Sequence, residues 1–177
     1  GWGVTPVERE LSRLLDGLPV RAANDANAAA LGEVWQGAGT GARSLLLVTL
    51  GTGVGAGIVV NGVILTGAHG SGGEIGHIQV NPGEGEPCRC GKAGCLEQYA
   101  SERAILRQYA DRMNLEKTDI DAFVAACGRQ EPEALGLLDD FVRYMAIGIN
   151  NLLNIFNPDI IVINSSFTIY FPEVLQR

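Results

Sequence analysis

The feature that most constrains this sequence is a cluster of three cysteines within residues 72–101. Cys88, Cys90 and Cys95 follow the pattern C-x-C-G-x-x-G-C, and His77 lies upstream, beyond a short loop rich in proline and glycine. Three thiolates and one imidazole make the closed tetrahedral ligand set of a structural zinc site. A disulfide competes with this interpretation, but three clustered cysteines leave one thiol over, and the first two are too close in sequence to bridge comfortably. The pattern therefore predicts structural Zn²⁺ in a short inserted loop.

Two carboxylates flank this cluster. Glu74 lies three residues before His77, and Glu97 lies two residues after Cys95. One interpretation makes Glu74 a solvated loop charge and Glu97 a favourable acid in the first turn of a helix. The other brings both together with the second nitrogen of His77 around a polyhydroxylated ligand, while the first nitrogen binds the metal.

Composition and charge limit the kinds of protein that fit. The 177 residues are 46% hydrophobic and 19% charged, which is typical of one globular domain and too short for two large lobes. A formal net charge of −7 with no basic run argues against nucleic-acid binding by this chain itself. Because no apolar run has the length of a membrane span and no signal peptide opens the sequence, we expect a cytoplasmic protein that does not engage a membrane. The sequence does not begin with Met, and we expect it to be a piece of a longer protein.

Hydrophobic periodicity and turn residues predict an α/β chain. The predicted helices cover residues 5–15, a segment capped by Asn24 or Asp25, and residues 96–113, 120–127 and 132–156, with a last helix opening at residue 172. The predicted strands cover residues 18–23, 45–50, 56–60, 63–66 and 160–163, and residues 164–166 form the turn after the last strand.

Two segments of this pattern are candidates for chemistry. Asp25 follows a predicted strand and opens a helix, so it is either a helix cap or a catalytic group at the carboxyl end of the strand. The turn GTGVGAG, which contains Gly51, Thr52 and Gly53, is either a tight hairpin or a loop that presents backbone N–H groups and a hydroxyl to phosphate. It is neither a Walker loop nor a dinucleotide fingerprint, because no Gly-Lys-Ser/Thr follows and the next element is a strand.

Four motifs, in order, resemble the ROK family of sugar kinases and sugar-responsive repressors: NDANAAALGE, LGTGVGAGIVVNG, GGEIGHIQV and CRCGKAGCLEQYAS. The resemblance implies an actin-like, ribonuclease H-like ATPase fold, in which sugar and ATP meet between two α/β lobes. It makes residues 1–177 mainly the C-terminal sugar-binding lobe with an inserted zinc loop. The N-terminal phosphate loop of the type D-x-G-G-T is missing from the sequence.

The same resemblance implies a role for each matching residue. Asp25 is expected to be the general base for a sugar hydroxyl, which agrees with the need to take a proton from that hydroxyl as phosphoryl transfer proceeds. Gly51, Thr52 and Gly53 are expected near the phosphates of ATP, bound with Mg²⁺ in a kinase. The residues expected to hold sugar hydroxyls are Asn24, Asp25, Glu74, His77 and Glu97, and those expected to hold zinc are His77, Cys88, Cys90 and Cys95.

With these roles, the resemblance implies an ATP-dependent kinase of the glucokinase type that phosphorylates a hexose. An alternative is the effector domain of a sugar-responsive repressor, because Asn164-Ser165-Ser166 stands where the family's kinases usually have a Gly-Gly pair against adenosine. A third interpretation is an inactive sugar-binding fragment stabilised by metal. The expected partners are a hexose or related sugar and, by resemblance only, a second copy in a homodimer.

Overall fold

The computed structural model describes residues 5–83 and 85–172 of the chain. Its sheet has four strands in the order β3-β2-β1-β4. The strands are β1 (Leu45–Leu50), β2 (Val54–Val60), β3 (Val63–Ile64) and β4 (Ile160–Ser165). The α-helices are α1 (Val7–Leu14), α2 (Asp25–Gln36), α3 (Glu97–Ala100), α4 (Glu102–Arg112), α5 (Ile120–Gly128), α6 (Pro132–Phe156) and α7 (Ser166–Tyr170), and a 3₁₀ helix covers Ile75–His77.

The sheet is mixed, because β1 pairs antiparallel with β2 and parallel with β4. The near-continuous apolar run of β1 is typical of a strand covered on both faces, and every residue of it except Thr49 is buried. Asn61 and Gly62 have φ values of 51° and 80°, the positive angles of a two-residue hairpin turn between β2 and β3. These strands and the hairpin confirm the predicted meander.

Alternate residues of β1 face two different hydrophobic clusters. Leu46 and Val48 join the larger cluster, which contains α3 to α6, and Leu45 and Leu47 join a smaller one against α2. The helix α2 lies so close to β2 that a Cβ atom at Gly57 would clash with the backbone of α2. The sheet is therefore covered by α2 on one face and by the other main helices on the opposite face.

Two of the predicted helices have different ends from those expected. The helix predicted over residues 96–113 is two helices, because Ser101 has φ −103° and ψ 151° and interrupts the turn. The hydroxyl of Ser101 accepts a hydrogen bond from Ala104 N–H at 3.1 Å and so caps α4. At the first helix, α1 starts at Val7, two residues after the predicted start at residue 5.

The strand predicted over residues 18–23 is also wrong, because this segment pairs with no strand in the described part of the chain. Asn164 and Ser165 belong to β4, and α7 follows directly, so the turn predicted over residues 164–166 is absent. The helix predicted from Pro172 lies outside the described residues except for Pro172 itself. The helix α6 has the predicted bounds, since Pro132 opens it and Asn157, with φ 40°, closes it.

None of the helices in the described ranges has the length and apolar character that crossing a membrane requires.

Candidate functional site

The predicted metal ligands come together in one cluster. One ligand atom from each of His77, Cys88, Cys90 and Cys95 lies within 4.8 Å of the others. All three of these cysteines are free thiols, so none of them forms the disulfide that was the alternative interpretation. Gly94, at φ 75°, supplies one of the left-handed backbone turns that let the loop fold back on itself. The cluster could hold a metal ion.

The thiols of this cluster differ in acidity. Burial, followed by hydrogen bonds with the neighbouring thiols, raises the pKa of the Cys95 thiol to about 12. A backbone hydrogen bond from Lys92 lowers the pKa of the Cys90 thiol, which lies at the exposed side of the loop. A cation binds the thiolate form, so metal binding here would displace protons, and its affinity would fall at low pH.

A polar cavity of about 450 Å³ lies at the carboxyl ends of the parallel strands β1 and β4. Gly51, Thr52 and Gly53 line it after β1, and Asn164 lines it from β4. Asp25, in the first turn of α2, and Glu97, at the start of α3, complete its polar wall. In α/β proteins ligands bind in crevices at this end of the strands, so the position is typical of a binding site.

Asn24 and Asp25 have different local roles. The side chain of Asn24 caps α2 by accepting a hydrogen bond from Asn27 N–H at 3.1 Å. The Oδ1 atom of Asp25 accepts from Ala26 N–H at 2.9 Å, and the side chain is exposed. Because Asn24 provides the cap, the interpretation of Asp25 as the helix cap is wrong, and its second carboxylate oxygen has no hydrogen-bond partner among the described residues.

Glu97 is the most firmly held carboxylate of the site. Its Oε2 atom accepts from Val54 N–H at 3.2 Å, and its Oε1 atom accepts from the Arg103 guanidinium at 3.2 Å. The side chain is 16% exposed. A Cβ atom at Gly53 would displace Oε2, so the glycine leaves room for this approach.

A second cavity of about 370 Å³ adjoins the first and shares Thr52, Gly53 and Glu97 with it. Its remaining lining residues are His77, Arg89, Cys90 and Arg103. His77 therefore reaches both the metal cluster and a cavity beside Glu97. Glu74 is exposed and directly precedes the 3₁₀ helix that carries His77.

The structure thus brings Asp25, Glu97 and the glycine turn to one cavity and His77 to the next. Sequence reasoning missed Arg103 and the lining role of Asn164. A signal for Asn164 was present, because it follows a buried strand that runs parallel to β1. None was present for Arg103, which reaches Glu97 only through the helix break at Ser101.

The fold and site together define an α/β protein with a polar ligand cavity at the ends of its parallel strands and an adjacent loop able to hold a metal ion. The chain belongs to the ROK family, whose match covers residues 1–172. It is 46% identical to a glucokinase from Halalkalibacterium halodurans, with 92% of this chain aligned to 53% of that protein. It is 38% identical to a putative xylose repressor from a Caldicellulosiruptor species, with 99% of this chain aligned to 47% of that protein.

Solved ROK structures share the fold. A ROK family glucokinase from Streptomyces griseus, solved in complex with glucose and AMPPNP, superposes with a TM-score of 0.83 at 32% identity. The superposition covers 99% of this chain and 61% of that one. The chain spans about half the length of the curated relatives it matches.

Proposed function

We propose that this chain is the sugar-binding lobe of an ATP-dependent hexose kinase of the glucokinase type, with Asp25 as the general base. The observation that carries the proposal is the single polar cavity shared by Asp25, Glu97 and the turn after β1. Similarity to a glucokinase over 92% of the chain supports it, as does the solved relative with glucose and AMPPNP. We also propose that residues 1–177 form one such lobe.

The residues of the cavity suit the chemistry of phosphoryl transfer to a hydroxyl. The free oxygen of Asp25 can take the proton of a sugar hydroxyl, which raises its nucleophilicity. Glu97, Glu74, His77 and Asn24 would hold other hydroxyls and fix the orientation of the ring, because most of the catalysis in such reactions is positioning.

The turn after β1 fits a phosphate group. The N–H of Gly51 donates to Gly53 O at 3.0 Å, but the N–H groups of Thr52 and Gly53 donate to no described residue. These two groups and the Thr52 hydroxyl could bind phosphate oxygens of ATP. Bound with Mg²⁺, ATP would supply the phosphoryl group.

The Cys/His cluster fits zinc. Zn–S bonds of about 2.3 Å and Zn–N bonds of about 2.0 Å at tetrahedral angles place ligand atoms roughly 3.5 to 3.8 Å apart. The Cys90 and Cys95 sulfurs are 3.6 Å apart, and the Cys88 sulfur is 3.5 Å from Nδ1 of His77. With Nδ1 turned to the metal, Nε2 of His77 would remain for a sugar hydroxyl, so one imidazole would serve both functions.

The substitution Asp25→Asn tests the kinase proposal in the full-length protein. It removes the base but keeps the shape of the side chain, so we expect kcat to fall by about 10² to 10⁴ while hexose affinity changes little. The matched control is Asp16→Asn, at an exposed loop residue. A variant at position 25 that keeps the wild-type rate would refute the proposal.

The effector domain of a repressor is the second candidate, favoured by the 38% identical putative repressor and by Asn164 at the cavity wall. The two candidates differ in how sugar and nucleotide interact. Hexose titrations with and without AMPPNP separate them, because a kinase cleft should bind the sugar more tightly when the nucleotide is present. Sugar binding that is indifferent to nucleotide would favour the repressor. The homodimer and the cytoplasmic location stay predictions.

A further inference from the structure

The ion pair between Glu97 and Arg103 depends on a specific break in the helical chain. In an unbroken helix two residues six positions apart lie about 120° apart around the axis, so their side chains diverge. At the end of α3, the Ser101 hydroxyl donates to Glu97 O at 2.8 Å. The Oγ atom of Ser101 also accepts from Ala104 N–H and so caps α4. Ser101 is fully buried, and beyond the break at this residue Arg103 contacts Glu97.

The pair leaves part of the carboxylate free. A carboxylate has about four acceptor positions, two on each oxygen. Val54 N–H uses one position on Oε2, and Arg103 uses one on Oε1. Each oxygen of Glu97 therefore keeps one position, and two adjacent oxygens with one free position each match the two donors of a vicinal diol.

We propose that Arg103 is a positioning residue of the sugar site, which fixes Glu97 so that its two oxygens accept from two neighbouring hydroxyls of the ligand. The inference rests on the part of the proposed function that assigns sugar binding to Glu97. It does not depend on phosphoryl transfer, and it names the recognised chemistry as a vicinal diol.

Stability alone does not account for the arrangement. The side chain of Arg103 is 40% exposed, and exposed ion pairs contribute little to folding because solvent screens them. The geometry of the ion pair matters more for ligand binding, because Glu97 lines both cavities and borders the glycine turn. Loss of the guanidinium should therefore affect ligand selectivity more than thermal stability.

The chain offers a matched control on the same helix. Arg107 lies one turn further along α4, is 44% exposed and forms its ion pair at 3.4 Å with Glu86 rather than with Glu97. The substitutions Arg103→Met and Arg107→Met both keep the aliphatic stem and remove one charge. Arg103→Lys keeps a charge that can contact one carboxylate oxygen but cannot reproduce the planar guanidinium.

The experiment is calorimetric titration of the full-length protein, without nucleotide, with glucose and its monodeoxy analogues. We expect Arg103→Met to weaken glucose binding about tenfold, Arg103→Lys to recover part of the loss, and Arg107→Met to behave as wild type. In wild type, the analogues that lack a hydroxyl held by Glu97 should bind more weakly. In Arg103→Met, removal of a sugar hydroxyl should cost less affinity than in wild type, and only at two adjacent positions of the sugar. A double-mutant cycle that combines the protein substitution with each deoxy analogue measures this difference. If the protein phosphorylates glucose, the variant should raise KM more than it lowers kcat.

Three results would overturn the inference. Equal or tighter glucose binding by Arg103→Met would mean that the guanidinium competes with the sugar for Glu97. A loss that is uniform across all deoxy analogues would mean that Arg103 only supports the fold. A wild-type protein that binds no hexose would refute the proposed function as well, whereas either of the first two results leaves it standing.

Discussion

At the scale of single residues, two specific partners stabilise the charged form of the Glu131 carboxylate. Tyr109 O–H donates to its Oε2 atom at 2.8 Å, and Arg129 contacts its Oε1 atom at 2.7 Å. The hydrogen bond from Tyr109, followed by that from Arg129, lowers the pKa of Glu131 below its ordinary value of 4.5. The ring of Tyr109 also packs edge-on against Phe123, so the carboxylate is connected to the core.

The lowered pKa of Glu131 predicts how stability depends on pH. A carboxyl group with a depressed pKa in the folded state contributes stability that is present above its unfolded pKa and is lost as pH falls through the folded pKa. We expect Glu131→Gln to lower the free energy of unfolding at pH 7, and the difference from wild type to shrink below about pH 4.5. Urea unfolding across this range measures it. The control Glu116→Gln, at an exposed residue, should show no such trend, and a gap between Glu131→Gln and wild type that stays constant at low pH would contradict the assignment.

Sequence reasoning was most successful for residues whose role is set by near neighbours. The metal ligands were predicted together because Cys88, Cys90 and Cys95 lie within eight residues of one another. Asn24 as a helix cap was one of two predicted options, and the structure selects it because its side chain accepts from Asn27 N–H. The sugar-binding and catalytic roles of the cavity residues stay predictions until the variants are measured.

At the scale of elements, the contact between α6 and α3 depends on a glycine. Gly148 is buried in the middle of α6, and a Cβ atom there would lie 2.7 Å and 3.1 Å from the two methyl groups of Leu96. Leu96 is 1% exposed and directly precedes Glu97. The small residue in the long helix therefore lets the start of α3 pack tightly beside the proposed sugar site.

Two alanine substitutions in α6 separate this packing from helix propensity. Gly136→Ala should stabilise the protein by roughly 0.5 to 1 kcal/mol, because its Cβ meets only the Arg112 side chain, at 3.9 Å. Gly148→Ala gains the same propensity but overpacks against Leu96 at a cost of about 1 to 3 kcal/mol, so we expect net destabilisation. Chemical unfolding of the two variants measures the difference. A stabilised Gly148→Ala variant would show that Leu96 moves without cost.

At the scale of the whole molecule, two tyrosines connect the loop of the candidate metal ligands, residues 77–95, to the core. The rings of Tyr99 and Tyr144 stack with their centroids 4.1 Å apart, and the Asn81 side chain donates to both hydroxyls. The Tyr99 hydroxyl also accepts from Glu86 N–H at 2.8 Å. Since Cys95 is two residues from Glu97, loosening of the loop should disturb the proposed sugar site.

Chelation of the metal tests this connection. We expect a zinc chelator to lower the melting temperature by at least about 5 °C and to weaken hexose binding in parallel, with both restored by added Zn²⁺. The exposed ligand offers a matched variant, since Cys90→Ser should reproduce the effect while Cys127→Ala leaves the metal content unchanged. Unchanged sugar affinity after complete removal of the metal would show that the loop does not influence the proposed sugar site.

The sequence by itself determined the features that depend on residues close together in the chain. The apolar run of β1, the Asn61-Gly62 hairpin, the bounds of α6 and the spacing of the cysteines were all readable, because turn chemistry, hydrophobic period and ligand type act locally. The family motifs added the fold class. The strand predicted over residues 18–23 was wrong because β propensity in a short segment has no effect without a neighbouring strand to pair with.

Only the tertiary structure decided how the site is assembled. Asp25 and Glu97 are 72 positions apart in the chain, and they line one cavity because α2 and α3 both start at the same end of the sheet. The pair of Glu97 with Arg103 required a helix break that one serine hydroxyl makes. Such distances depend on where helices end and how they pack on β1 and β2, and side-chain packing of this kind is decided by contacts between residues that are remote in the sequence.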